Sequence, residues 1–184
     1  VIKPTKRPGR VHQEDFCQAL GIVPDRKYQS EGGPSLKQCF GLLREVSASP
    51  VIDLQSLLNA VIFNFLIGNH DAHAKNFSLL YGSQTRLAPW YDVLSTVYYP
   101  DLSERMAMKI GGEYVSGAVT PRHFEKFAEA TQLARPMVKQ RVRELAEVLL
   151  VKIPSVVTDH PTARTVAELV QNRCLRIRDR FAAG

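Results

Sequence analysis

The sequence predicts a mainly α domain with a small β-hairpin near its middle. Three observations predict it. An apolar run from Leu57 to Ile67 reads as a helix heading into a core. From Thr120 onward the chain is strongly helical in pattern. Between these lie two short β-type runs, Phe77 to Tyr81 and Arg86 to Ala88, around the polar turn Gly82-Ser83-Gln84-Thr85. With 184 residues, the chain suffices for one domain with a sizeable core.

Taken in order, Val1 to Arg10 holds two prolines, a glycine and four basic residues. It reads as a linker or extended arm, so residues 1–11 are assigned as linker and 12–184 as the domain. His12 to Leu20 places Phe16, Cys17 and Leu20 at helical spacing, with Gly21 as its stop. Ile22 to Gly33 is polar and reads as a loop. Pro34 suits the first turn of a helix running to Val46, and Pro50 breaks that helix. Asp53 is a cap for the next helix, which ends at Gly68. Val93 to Tyr99 reads as irregular, and Met106 to Ile110 as a short strand. Thr120 and Pro121 open a helix carrying Phe124 and Phe127 inward. A second helix spans Arg135 to Val151, and Asp159 or Thr162 opens a last one.

Composition is ordinary for a globular protein, 45% hydrophobic and 23% charged, with a net charge of +6. That charge is compatible with nucleotides, nucleic acid or acidic protein faces, and equally with a solvated basic surface. Cys17, Cys39 and Cys174 lie far apart among apolar residues and read as buried free thiols, consistent with a reducing, cytoplasmic setting. No apolar run approaches the roughly 20 residues that span a bilayer, so no membrane is expected.

Chemistry concentrates in Gly68-Asn69-His70-Asp71-Ala72-His73-Ala74-Lys75-Asn76-Phe77, followed beyond the hairpin by Trp90-Tyr91-Asp92-Val93-Leu94-Ser95. A loop that only joins elements seldom needs six polar groups in eight residues. In phosphoryl transfer, one carboxylate orients the attacking hydroxyl and takes its proton. An amide oxygen and a second carboxylate hold Mg²⁺, a hard cation suited to oxygen ligands. The five-residue step from Asp71 to Asn76 is the one protein kinases use between base and metal-binding asparagine. The hairpin folds Asp92 back toward Asn76. Lys75 suits a phosphate contact, and His73 suits either that role or positioning of Asp71.

Several ordered motifs make the resemblance specific. Asn69 to Ser78, Tyr91-Asp92-Val93-Leu94-Ser95, His12 to Gly21, Lys27-Tyr28, Glu31-Gly32-Gly33-Pro34 and Met106 to Ile110 together resemble the HipA family of serine/threonine kinases. The resemblance covers nearly the whole chain. It implies the helical carboxyl-terminal lobe of a protein-kinase-like fold. By it, Asp71 matches the catalytic aspartate, Asn76 and Asp92 the Mg²⁺ ligands, and His73 and Lys75 positions beside the ATP phosphates. It also implies the toxin of a bacterial toxin–antitoxin pair, a small helix-turn-helix antitoxin of HipB type as partner, operator DNA through that complex, and aminoacyl-tRNA synthetases among family substrates. The sequence departs from the family in lacking a GxGxxG or Walker pattern, so the lobe that covers ATP is expected upstream of these residues, and this fragment alone is expected to be inactive.

Other readings carry weight. Asp71 and Asn76 alone could be Asx-turn residues. His70 and His73 do not make an HExxH zinc site. Gln13, Glu14 and Asp15 read as the polar face of a short helix, and Gly32-Gly33 as a turn. Arg173, Arg176, Arg178 and Arg180 read as a solvated helix end or a DNA contact. The runner-up function is a non-catalytic basic helical module that binds an antitoxin repressor and operator DNA. A lipid or small-molecule kinase is a third, because Asn-His-Asp departs from the usual His-Arg-Asp order.

Overall fold

A computed structural model describes residues 10–182. Most of the expected linker, residues 1–9, lies outside them. Exposed Arg10 and Val11 lead into strand β1 (His12–Asp15) and the single turn α1 (Phe16–Ala19). This corrects the expectation of one helix over His12 to Leu20. The helical spacing of Phe16 and Cys17 is real but lasts one turn, which Asp15 opens with a capping box to Gln18. The residues before it are drawn into a sheet. β1 pairs antiparallel with β2 (Ser78–Tyr81), which forms the expected hairpin with β3 (Thr85–Leu87). Its polar side chains meet cross-strand partners: the Tyr81 hydroxyl donates to Glu14 at 2.8 Å, and the His12 ring lies 5.4 Å from that of Tyr81.

The helices follow. α2 (Leu36–Val46) starts at Ser35, which forms a capping box with Gln38, so Pro34 stands just outside the helix. α3 (Pro50–Ile67) begins with Pro50 in its first turn after Ser49, which displaces Asp53 from the expected capping position. Asp53 is instead buried inside the first turns. Its carboxylate accepts bonds from Arg86 Nε and Nη2, Ser47 Oγ and the Leu87 amide. Burial pushes its carboxyl up, but those bonds outweigh burial and hold it below its ordinary value. That knot ties the hairpin to the start of α3. β4 (Arg105–Ile110) and β5 (Glu113–Val115) form a second small sheet.

Three helices complete the domain. α4 (Pro121–Ala130) is capped by Thr120 as expected. α5 runs Arg135–Val156, past the predicted end at Val151 and through Pro154. α6 spans Pro161–Ala182. α3 packs against α2, α5 and α6. Its length and composition would also allow it to cross a membrane, contrary to the sequence expectation. It is the one such helix among the described residues. Here its apolarity serves the core: Leu57, Leu58, Ile62 and Leu66 are fully enclosed, and Phe65 packs edge-on against Phe124 at 5.3 Å. All three cysteines are buried and free.

Replacing Asp53 with alanine removes the acceptor for Leu87 N–H, Ser47 and Arg86 together. Equilibrium urea unfolding of Asp53→Ala is expected to show a loss of about 2–3 kcal/mol. A loss below roughly 0.5 kcal/mol would contradict the anchoring role.

Candidate active site

The loop after α3 is shaped by how that helix ends. Gly68 adopts φ 72°, a left-handed stop, and its amide donates to the Phe65 carbonyl. A Cβ here would lie 2.6 Å from Val97 side-chain carbons and 3.1 Å from Arg173 Nε. Arg173, on α6, donates to the carbonyls of Phe65 at 2.9 Å and Leu66 at 3.3 Å, satisfying acceptors that the helix leaves open. Asn64 in the last turn accepts from Asn69 Nδ2 at 2.9 Å, so the loop starts on a buried amide pair.

The segment around Asp92 is strapped onto this loop. Thr96 Oγ1 donates to the Gly68 carbonyl at 2.9 Å and accepts from His70 N–H at 2.8 Å. Ser95 donates to the Ile67 carbonyl, and Tyr91 OH to the Lys75 carbonyl at 2.6 Å. Trp90 lies 5.7 Å from the ring of Phe63 on α3. The straps bring Asp92 to Asn76, whose Nδ2 donates to Asp92 Oδ2. Asp92 itself sits at φ 54°, a left-handed conformation uncommon for a residue with a side chain.

Each predicted site residue has a distinct setting. Asp71 follows His70 with 44% of its side chain open to solvent. One carboxylate oxygen, Oδ1, accepts from Tyr28 OH at 2.7 Å, and the other, Oδ2, lies 3.9 Å from His73 Nε2. His73 is buried, with its ring edge-on to Tyr28 and its Nδ1 unpartnered among the described residues. Burial lowers its pKa, Lys27 adds to that, and Asp71 and Asp92 both act in the opposite direction. Asp71 thus lies beside the His73 ring, and Asp92 is linked to the same residue through the Asn76 amide. Lys75 lies on the 3-10 turn Ala74–Asn76, partly exposed, near enough to Cys17 to act on it electrostatically. Asn76 is buried, and its Oδ1 accepts from His73 N–H at 3.0 Å.

His70 belongs to a different structure. Its ring engages Ser103 O at 3.2 Å and Ser116 Oγ at 2.8 Å, and burial lowers its pKa. It braces the loop against the β4–β5 region and shares no partner with His73. Asn76 turns its Oδ1 to the His73 amide and its Nδ2 to Asp92, and an amide oxygen beside a carboxylate is the kind of hard donor set that suits Mg²⁺.

Sequence reasoning gave Tyr28 no role. It lies 43 residues before Asp71, beyond any local spacing rule. Its pKa is pushed up to about 12, first by the bond to Asp71 and then by burial, so it remains a donor at neutral pH. Lys27 Nζ lies 4.9 Å from the Tyr28 ring centroid. The available signal was the glycine pair beside it. Gly33 N–H donates to Tyr28 O at 2.9 Å, and a Cβ at Gly33 would lie 2.5 Å from Arg26 O. Those glycines fold the loop that presents Tyr28. The arginine cluster also divides: Arg173 caps α3, Arg180 donates to the Gly117 and Val119 carbonyls, and Arg178 pairs with Asp179 at 2.7 Å.

The sequence and the fold match known proteins. The family of HipA-like C-terminal domains matches residues 4–153. A Sinorhizobium fredii protein named as a kinase is 52% identical over 139 residues, covering 75% of this chain and 33% of the relative. A Shewanella oneidensis protein named serine/threonine-protein kinase toxin HipA is 29% identical over 170 residues, covering 86% of this chain and 38% of the relative. A solved Shewanella oneidensis complex of HipA, HipB and operator DNA superposes with a TM-score of 0.88 at 26% identity, over 97% of this chain and 48% of that one. The chain thus spans between a third and two-fifths of the length of these curated relatives.

Gly68→Ala meets both a disfavoured φ and the packed Val97 side chain. Unfolding measurements are expected to show roughly 2–4 kcal/mol lost. A near-neutral result would mean that the helix end can relax.

Proposed function

The chain belongs to the family of HipA-like C-terminal domains, and from that premise we propose that it is the kinase-like catalytic lobe of a serine/threonine kinase that transfers the γ-phosphoryl group of ATP to a protein hydroxyl. The observation that carries the proposal is the convergence of Asp71 with the Asn76–Asp92 pair around one buried histidine. Asp71 is the general base. Tyr28 holds Oδ1, which leaves Oδ2 facing the space where a substrate hydroxyl can enter and give up its proton. His73, whose pKa burial lowers, stays neutral near pH 7 with its Nε2 3.9 Å from that second oxygen. Asn76 and Asp92 would hold Mg²⁺ through Oδ1 and the carboxylate. An ion held there would supply positive charge against the ATP phosphates. Lys75 supports the same phosphates, since its ammonium has no ion pair among the described residues.

The likeness to a HipA–HipB–operator complex supports a toxin–antitoxin role, with a HipB-type antitoxin as partner and operator DNA reached through it, in the cytoplasm. It equally favours the runner-up reading, a module acting through antitoxin and DNA alone. Phosphotransfer separates them.

Two measurements on the full-length protein containing this domain test the assignment. Asp71→Asn and Asp92→Asn are each expected to lower the rate of phosphate transfer from labelled ATP to protein by at least about 10²-fold, with unchanged melting temperature. Wild-type transfer in either variant would refute the role of the carboxylate it lacks. Tyr28→Phe frees one oxygen of Asp71. It is expected to lower kcat about 10-fold with little change in KM for ATP. An unchanged kcat would show that Tyr28 does not position the base.

A further inference from the structure

Behind the loop, on the side His70 faces, lies a cavity of about 670 Å³ that the proposed chemistry does not use. Arg173, Arg176, Asn172, Thr96, Ser116 and His70 supply its polar lining. A smaller hollow of about 120 Å³ shares Ser116, Gly117, Arg173 and Arg176 with it and adds Arg180. The two form one basin on a single face of α6. Glu104 is the one acidic residue in the lining.

The charge in this basin is uncompensated. Arg173 is partly buried, yet its guanidinium is bonded to backbone carbonyls and to no carboxylate. Arg180 likewise bonds only the carbonyls of Gly117 and Val119. Arg176 makes no hydrogen bond or ion pair among the described residues, and its charge disfavours that of Arg173. Arg176 and Arg180 are exposed at the rim and Arg173 is partly buried behind them, so the like charges repel one another and an anion entering the concavity would offset that repulsion. His70 does not add to the charge, because burial and Arg173 both favour its neutral form. Val97, Tyr99 and Leu102 bring apolar and aromatic lining from outside α6, and Leu169 adds an apolar side chain from α6 itself. The volume falls within the range of small-ligand sites.

We propose that this basin binds a phosphate-bearing small molecule, its phosphate between Arg176, Arg173 and Arg180 and its body against the Tyr99 and Leu102 wall. Guanidinium forks suit phosphate oxygens, and Ser116 adds a hydroxyl at the same rim. A concave site of this size favours a small ligand over the convex backbone of a DNA duplex. The ligand would share Arg173 with the end of α3, so binding would be felt at the loop from behind.

The test uses the full chain at fixed ionic strength, titrated with inorganic phosphate, pyrophosphate or a 5′-mononucleotide against a sodium chloride control. Saturable chemical-shift changes are expected at the Ser116 and Gly117 amides and the Arg173 side chain, with a rise in melting temperature. The mononucleotide is expected to bind more tightly than phosphate alone. Arg176→Gln, which removes no internal bond and relieves repulsion with Arg173, is expected to weaken binding about 10-fold without lowering the unliganded melting temperature, with Arg176→Lys recovering part of the loss. The proposal fails if chloride gives the same shifts, if Arg176→Gln binds as tightly as the wild type, or if a duplex of about 20 base pairs occupies the basin in preference to all three ligands.

Discussion

The end of α3 is the constraint on which the site depends. A helix leaves its last carbonyls unsatisfied, and burying them without partners is costly. Here the last turn is buried, so its acceptors must be met by groups from elsewhere. Gly68 turns the chain, Ser95 and Thr96 reach the carbonyls of Ile67 and Gly68, and Arg173 reaches those of Phe65 and Leu66. The requirement to satisfy one helix end thus gathers three distant segments at one point. Asn76 and Asp92 meet because their segments are both needed there.

This accounts for the density of polar residues in the loop. Most of them are consumed by structure. Asn69 bonds Asn64, His70 bonds Ser103 and Ser116, and the Asn76 amide bridges His73 and Asp92. Few groups remain with capacity to spare. They are the second oxygen of Asp71, the second lone pair of Asn76 Oδ1, the Nδ1 of His73, the ammonium of Lys75 and the open face of Asp92. Interactions of the first kind hold the second kind still, which is what pre-organised chemistry requires. The left-handed φ of Asp92 fits this division. A strained backbone persists where its surroundings over-determine it, and here Tyr91, Ser95 and Thr96 fix the chain on both sides.

Much of the fold was legible because local rules governed it. α3 showed in its apolar run, α4 in Thr120-Pro121, and the hairpin in a polar turn between β-type runs. β1 was not legible, because the edge of β2 outweighs four residues of weak preference, and no local pattern reports a partner more than 60 residues away. Asp53 departs from its expected capping role for a related reason: Ser49 and Pro50 already supply the helix start, freeing the aspartate for Arg86. In the site, Asp71, Asn76 and Asp92 carried a spacing signal. Tyr28 carried none, and the directions of His70 and His73 depended on tertiary contacts that sequence order does not encode.

The roles of α6 follow from the same geometry. The family match ends at residue 153, before α6 begins. Even so, Arg173 of α6 supplies a donor to the Leu66 carbonyl and a second donor to that of Phe65, just ahead of Gly68 and the loop. Phe181 stacks on Phe124 at 5.4 Å, and Phe124 in turn packs on Phe65 in the last turns of α3. α6 therefore braces α3 twice, by charge at its end and by aromatic packing beside it. Tyr28 acts on the other side of the loop, after Gly32 and Gly33 fold its segment back. Asp71 lies between a clamp from the first part of the chain and a clamp from the last. Its position is a property of the whole domain, although the motif that contains it is ten residues long.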